Sequence, residues 1–447
     1  MTKPAYLSHF LYGFYHSLKL LVRIVFKLFF SKTTIINPGP LKIDRPTILV
    51  SNHPNTLLDP LNVAVRADTI VFFLANASLF KTPMANWFLN GTYVIPIERP
   101  QDVGGKMVKN EANFARCDEF LSKGGCLYIA PEGGSKMPRR LQRIKTGTAR
   151  IMLSAENKNN FELGMQILPV GLIYEDSLAF RKKVLLNVGE PIFAKEFEAI
   201  YREDTFKAAR QLTAHISEKM EALLVHTRDD EEDQLLHQLE EILENEEALP
   251  HEQQFRRTKA LLAQMQAMPG EEYEQLARDT RAYFGLLEGG LSDAALVEVD
   301  RRRRSRWGQL IVGSPLFLWG WVNNYIPSWI PAWAVRKLKL YIGYTSNVLV
   351  LSGLFTYPIF YALQTWLVHS LFGLPWLSAL YLLSLVPSGL FAWHYREQFL
   401  REKARRKAQQ FKRERPQRFE EARQHRRRLL QSLHAMLSKT EGHSLTT

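Results

Sequence analysis

Cysteine is nearly absent: the 447 residues hold two, Cys117 and Cys126. Two thiols cannot build a disulfide framework, so a disulfide-stapled secreted fold is excluded and a reducing compartment is expected. There is no internal repeat, and no glycine-rich segment has the Gly-Lys-Ser spacing of a P-loop. Strand-like patterning is missing from Phe197 to about Asp300, where long helical segments take over. Acidic residues number 45 against 58 basic ones, a formal charge of +13. The imbalance is local. Basic residues crowd the N-terminus, the segment after Asp300 and the last stretch, whereas Arg228 to Glu252 is strongly acidic. Such asymmetry points to an anionic partner, either nucleic acid or phospholipid, and the length predicts two or three units.

Hydrophobic runs favour lipid. Tyr341 to Val368 and Leu371 to Trp393 contain two uncharged stretches, each longer than the roughly 20 residues a helix needs to cross a bilayer. Arg301–Arg304 and Arg336-Lys337-Leu338-Lys339 precede the pair, and Arg396, Arg401, Lys403, Arg405 and Arg406 follow it. Basic flanks on both sides predict a hairpin at 341–395 with both ends, and the active domain, on the cytoplasmic side. At the N-terminus Lys19, Arg23 and Lys27 share one helix face amid Leu18, Leu21, Val22, Val25, Phe26 and Phe29. That pattern predicts an amphipathic membrane-interface helix within residues 1–40. Residues 301–340 are dense in Trp and Pro (Pro315, Pro327, Pro331), which predicts an interfacial segment broken by proline. Residues 201–300 read as an acidic helical arm. Residues 396–447 read as a basic helical tail, for which lipid is a better partner than nucleic acid.

Between Pro46 and about Ala194, short apolar runs alternate with helical stretches. Strands are expected at Thr47–Val50, Ile70–Leu74, Thr92–Pro96, Cys126–Ala130, Ile167–Tyr174 and Val184–Val188. The alternation predicts an α/β domain over residues 41–200.

Three segments carry chemistry. After the first strand comes His53-Pro54-Asn55-Thr56-Leu57-Leu58-Asp59. A histidine near neutral pKa takes a proton from a hydroxyl, and a carboxylate orients the imidazole and stabilises its cation. On one helix the two side chains would lie about 240° apart, so a dyad requires His53 to precede the helix and reach back over its first turn. Thr56 and Asp59 equally satisfy a helix capping box, so the carboxylate has a structural reading as well. The second segment, Gly91-Thr92-Tyr93-Val94-Ile95-Pro96-Ile97-Glu98-Arg99, ends in a guanidinium able to grip a phosphate or to pair with Glu98. In the third, Pro131-Glu132-Gly133-Gly134-Ser135-Lys136, glycines open the backbone to an anion and Lys136 adds charge; Lys145 stands ahead of a further helix.

In this order and spacing the segments resemble the glycerolipid acyltransferases, the superfamily of lysophosphatidate and glycerol-3-phosphate acyltransferases. His53 and Asp59 match its histidine–aspartate motif, Gly91–Arg99 its second block, Pro131-Glu132-Gly133 its third, and Leu168-Pro169-Val170-Gly171 its late strand. Five residues separate His53 from Asp59 where four are usual, a form similar to the glycerol-3-phosphate and dihydroxyacetone-phosphate branch. Gly134, Ser135 and Lys136 stand where Thr and Arg usually follow Pro-Glu-Gly, so Lys136 or Lys145 would replace the arginine's charge.

The resemblance implies an α/β acyltransferase domain, a mixed sheet flanked by helices. To this the chain would add the interfacial helix, helical arm and two-helix transmembrane hairpin. It further implies His53 and Asp59 as catalytic residues. Arg99, Glu132, Gly133, Gly134, Ser135, Lys136 and Lys145 would bind substrate, with Glu132 accepting from a glycerol hydroxyl or orienting Arg99. The expected co-substrates are an acyl-CoA or acyl carrier protein thioester and a glycerol-phosphate acceptor, with membrane phospholipid as surroundings, no cofactor and no metal. The rival reading is a non-catalytic membrane scaffold or lipid-binding protein built on such a domain.

Overall fold

The computed structural model describes residues 9–91, 93–98, 110–134, 139–287, 291–301 and 305–444. The chain divides into two compact units. One comprises residues 1–226 with 340–347, and the other comprises residues 227–339 with 348–447.

The first unit is built on one eight-stranded sheet: β1 (Lys32–Ile36), β2 (Thr47–Ser51), β3 (Val71–Asn76), β4 (Val94–Ile97), β5 (Cys126–Ile129), β6 (Gln166–Tyr174), β7 (Lys183–Val188) and β8 (Ile192–Phe193). Its order is β1-β7-β6-β2-β5-β3-β4, with β8 beside β6. Most pairs are parallel, but β6 runs antiparallel to β7 and β8, so the sheet is mixed as expected. Central β2 and β5 are buried throughout, which fits their near-continuous apolar runs. The helices are α1 (His9–Phe29), α2 (Leu58–Ala64), α3 (Pro83–Gly91), α4 (Glu111–Ser122), α5 (Gly147–Lys158), α6 (Glu198–Glu203) and α7 (Thr205–Leu223). Ile48, Val50, Leu127, Met152, Leu153, Ile167, Leu212 and Ile216 form one core beneath the sheet.

The unit is larger than the 41–200 read from the sequence. β1 joins the sheet through β7, and Leu212, Ile216 and Met220 of α7 are fully buried in the core. β1 escaped notice because Lys32-Thr33-Thr34 gives it a half-polar, edge-strand pattern.

The basic face of α1 is used differently from expectation. Lys19 is buried, with Nζ 2.5 Å from the Ala67 carbonyl, and Arg23 donates to the Val65 carbonyl at 2.8 and 3.0 Å. These cations meet carbonyls just past the end of α2, where the helix dipole favours positive charge. Burial brings the Lys19 pKa down to about 8. Beside the exposed Arg23 and Lys27, α1 also exposes apolar Leu20, Leu21 and Ile24.

The second unit is helical: α8 (Asp230–Glu246), α9 (His251–Ala267), α10 (Gly270–Leu287), α11 (Asp293–Asp300), α12 (Trp307–Leu338), α13 (Thr345–Phe372, from Val348 onward in this unit), α14 (Pro375–Glu414) and α15 (Pro416–Ser444). The acidic arm and the basic tail, distant in sequence, fold on each other. Arg426 of α15 donates to Asp293 at 2.8 Å, to Glu246 at 2.6 Å and to the Ile242 carbonyl at 3.0 Å. Arg423 pairs with Asp300 at 3.1 Å, and Arg418 donates to the Gly285 carbonyl at 3.0 Å. Arg418, Arg423 and Arg426 of the tail therefore meet the arm's acids and helix-end carbonyls.

Among the described residues two helices, 342–372 and α14, are long and apolar enough to cross a membrane, as the hydrophobic runs predicted. The proline-rich segment differs from expectation, because residues 307–338 are one continuous helix. A proline at position i frees the carbonyl at i−4. Here each freed carbonyl finds a side-chain donor: Ile311 takes Ser314 at 2.8 Å, Asn323 takes Gln364 at 2.9 Å, and Pro327 takes Thr356 at 3.1 Å. Two of the three donors come from α13, which the local sequence could not reveal. Gly320 meanwhile lets α12 touch the backbone of α14, since a Cβ there would overlap the Ser388 carbonyl.

Arg426 and Asp293 are 7% and 0% exposed, so Arg426→Ala leaves a buried carboxylate short of its cation. Unfolding of the detergent-solubilised protein, followed by circular dichroism, should show the helical unit destabilised by about 3 kcal/mol. Arg428→Ala, on the same helix, should lie within about 0.5 kcal/mol of the parent.

Candidate active site

β2 ends at Ser51, and α2 begins at Leu58. The turn between them carries His53, ahead of the helix as a dyad demands. Two devices hold the turn. Ser51 Oγ lies 2.7 Å from the Tyr128 hydroxyl on neighbouring β5. The Asn52 amide donates to the Leu172 carbonyl at 2.9 Å and accepts from the Leu172 N–H at 2.7 Å, so a side chain continues the β2–β6 ladder beyond the strand's end.

His53 Nδ1 lies 3.0 Å from Asp59 Oδ2. A carboxylate only accepts, so this contact selects the Nδ1–H tautomer and leaves Nε2 as the acceptor nitrogen. Asp59 has no exposed side-chain surface, whereas His53 keeps 16%. The same carboxylate accepts the Asn55 N–H at 2.6 Å and the Tyr174 hydroxyl at 2.7 Å. One oxygen of Asp59 thus serves the turn's backbone and the imidazole together, whereas the capping box is not formed: α2 starts from Leu57 with no side-chain cap, and the N–H that Asp59 accepts is that of Asn55.

Tyr174 is the residue that sequence reasoning missed. It closes β6, and its hydroxyl also accepts from Asn62 at 3.2 Å. Burial, then the Asp59 charge, pushes its pKa well up, so it stays a donor. The only available signal was a tyrosine at the end of an apolar strand, which is ordinary strand composition.

The Pro-Glu-Gly segment meets the histidine from behind. Glu132 is buried, and its Oε1 accepts the His53 backbone N–H at 3.1 Å. Its carboxylate thus holds the histidine's backbone, a contact the expectation for this residue did not include. Burial raises its pKa to about 7, against the lowering effect of the His53 hydrogen bond and charge. Gly133 has φ +69°, and a Cβ there would fall 2.7 Å from Lys145 Nζ, so the glycine lets the lysine lie across the turn. Lys145 N–H also donates to the Pro131 carbonyl at 2.9 Å. His53, Asp59, Glu132, Gly133 and Lys145 are therefore linked, and Gly134 follows in the same turn. Arg99, Ser135 and Lys136 lie outside the described residues; the strand leading to Arg99 is held by Asn110, which accepts the Glu98 N–H at 2.9 Å. Among the described residues no group of three or more His, Cys, Asp or Glu is arranged to hold a metal ion.

Residues 32–173 match the family described as Acyltransferase. These residues form an acyltransferase domain of the glycerolipid superfamily. Among its relatives, glycerol-3-phosphate O-acyltransferase 1 of Saccharomyces cerevisiae is 31% identical over 119 residues, 26% of this chain and 16% of its own. Glycerol-3-phosphate O-acyltransferase 2 of the same yeast is 30% identical over 111 residues, 24% of this chain and 15% of its own. The chain thus spans only a small part of the length of these curated relatives. The crystal structure of the 1-acyl-sn-glycerophosphate (LPA) acyltransferase PlsC from Thermotoga maritima aligns with a TM-score of 0.32 at 19% identity, over 48% of this chain and 89% of that one. An acyltransferase domain with a joined His–Asp pair disfavours the scaffold reading.

Tyr174→Phe removes a donor from a buried carboxylate while keeping the ring. Because hydrogen bonds to charged groups contribute about 1.5–3 kcal/mol, kcat for acyl transfer should fall about tenfold or more. KM should stay near the parent value, and a changed KM with intact kcat would contradict the assignment. Glu132 supplies a pH signature. Its folded pKa of about 7 exceeds the unfolded value of 4.5, so the folded state binds the extra proton between them. Stability therefore falls as pH rises through that window. Thermal unfolding between pH 5 and 8 should show this decline, and Glu132→Gln, which keeps an acceptor for His53 N–H, should flatten it.

Proposed function

We propose that the protein transfers a fatty acyl group from an acyl thioester to a hydroxyl of a glycerol-phosphate acceptor at a membrane surface. The observation that carries this reading is the His53–Asp59 contact inside an acyltransferase domain. His53 Nε2 takes the proton of the acceptor hydroxyl as its oxygen attacks the thioester carbonyl. Asp59 holds the imidazolium that forms. When the tetrahedral intermediate collapses, the C–S bond breaks and the histidine proton goes to the thiolate, leaving ester and thiol. No covalent enzyme intermediate and no cofactor is required, and the donor is an acyl-CoA or acyl carrier protein.

Lys145, Lys136 and Arg99 supply positive charge for the acceptor phosphate, with Gly133, Gly134 and Ser135 giving it backbone access. Two relatives are named as glycerol-3-phosphate O-acyltransferases, and the five-residue His–Asp gap points the same way, so glycerol-3-phosphate is the first acceptor to test. The two apolar helices support membrane association. Their basic flanks support a hairpin with active domain and both termini on the cytoplasmic side. The exposed Leu20, Leu21 and Ile24 of α1, and Met84 and Trp87 of α3, support contact of the catalytic unit with the lipid surface.

The purified protein should acylate one of glycerol-3-phosphate, dihydroxyacetone phosphate or lysophosphatidate from palmitoyl-CoA. His53→Ala should reduce turnover by about 10³-fold or more, with membrane insertion intact. Wild-type turnover by that variant would remove the dyad from the mechanism.

A further inference from the structure

The strongest unexplained feature near the site lies far outside the family match. Leu340–Asn347 belongs to the catalytic unit, although it is more than a hundred residues beyond that unit's other segment. It includes the first three residues of α13, one of the two helices able to cross a membrane. Ser346 and Asn347 are 0% and 4% exposed. Ser346 Oγ donates to the Ser177 carbonyl, and Asn347 Nδ2 donates to Thr56 Oγ1. Asn55, itself 1% exposed, donates to the same Ser177 carbonyl at 2.7 Å.

Asn55 and Thr56 lie between His53 and Asp59, in the turn that decides where Nε2 points. Burying a polar side chain costs free energy that an apolar residue would avoid, so three such residues at one joint imply directional rather than space-filling contact. Both Asn55 Oδ1 and Asn347 Oδ1 are buried without a hydrogen-bond partner, so the joint is not simply a saturated structural network.

We propose that Ser346 and Asn347 are positioning residues for catalysis. Through Thr56 and the Ser177 carbonyl they fix the His53 turn to the first turn of a membrane helix. The proposal rests on the acyl-transfer reading. It deepens that reading by making the start of the membrane segment part of the catalytic unit's working geometry, not merely its tether. Small displacements of a general base are costly, so loosening the joint should lower turnover without weakening donor binding.

The test uses the full-length protein in phospholipid nanodiscs, with palmitoyl-CoA as donor and the acceptor panel above. Asn347→Ala and Thr56→Val should each lower kcat about tenfold with KM for palmitoyl-CoA unchanged. The double variant should be no worse than either single one, because both remove the same contact. Thr56→Ser, which keeps the acceptor hydroxyl, should recover most of the rate. Wild-type kcat in both single variants, or losses that multiply in the double variant, would overturn the proposal. Hydrogen–deuterium exchange over residues 53–60 reads the joint without activity and should rise in Asn347→Ala. Unchanged exchange there would overturn the proposal even in an active enzyme. Failure of the wild-type protein to acylate any acceptor would count against the functional reading alone.

Discussion

The carboxylate of Asp59 is the constraint around which the site is organised. It has no solvent contact, and a buried carboxylate is tolerable only when its oxygens are met by donors. The three donors come from different places: an imidazole before α2, a backbone N–H within the turn and a tyrosine hydroxyl at the end of β6. Satisfying one side chain therefore fixes the course of the turn, the start of α2 and the position of β6 relative to both. Because the same carboxylate meets the imidazole and the Asn55 N–H, the His53–Asp59 geometry and the course of the turn share one interaction. A substitution at Asp59 would disturb both, so loss of activity there would say less about mechanism than loss at His53.

Tyr174 and Glu132 act on the histidine from opposite ends. Tyr174 works through Asp59 on the ring, and Glu132 holds the backbone N–H of His53 itself. The two acids of the site are consequently unequal. Asp59 receives three donors, while burial raises the Glu132 pKa to about 7. A carboxyl that titrates near neutrality beside the His53 turn makes the local charge pH-sensitive. This separation of roles follows from environment, since both are ordinary carboxyl groups following strands.

What the sequence disclosed and what it hid divide along physical lines. Six strands were legible because a short apolar run between helical stretches is a local signal, and their bounds agree with the sheet to within two residues. His53, Asp59, Glu132 and Gly133 were legible as a constellation. Tyr174, Asn52 and Asn347 were not, since each acts through a contact set by tertiary structure rather than by spacing. The helix α1 shows a third case. Its cations recur every four residues on one face, yet Lys19 is buried and Arg23 reaches back because carbonyls at the end of α2 accept from them, while Lys27 stays exposed. Periodicity identifies a face; only the partner decides where it points.

The proline-rich helix carries the same lesson further. Proline breaks an isolated helix because the carbonyl four residues earlier loses its donor, and in lipid no water can replace it. In α12 the loss is repaired by Ser314 locally and by Gln364 and Thr356 from α13. Those repairs hold α12 against α13, while Gly320 seats it against α14. The residues that look like helix breakers thus specify helix packing, because each unsatisfied carbonyl is an acceptor awaiting a particular neighbour. Between apolar helices, where burial of carbon gives little preference for one partner over another, such polar contacts supply register. The same logic governs the joint at Asn347: a polar group placed where packing alone would choose a hydrocarbon marks a contact whose geometry matters.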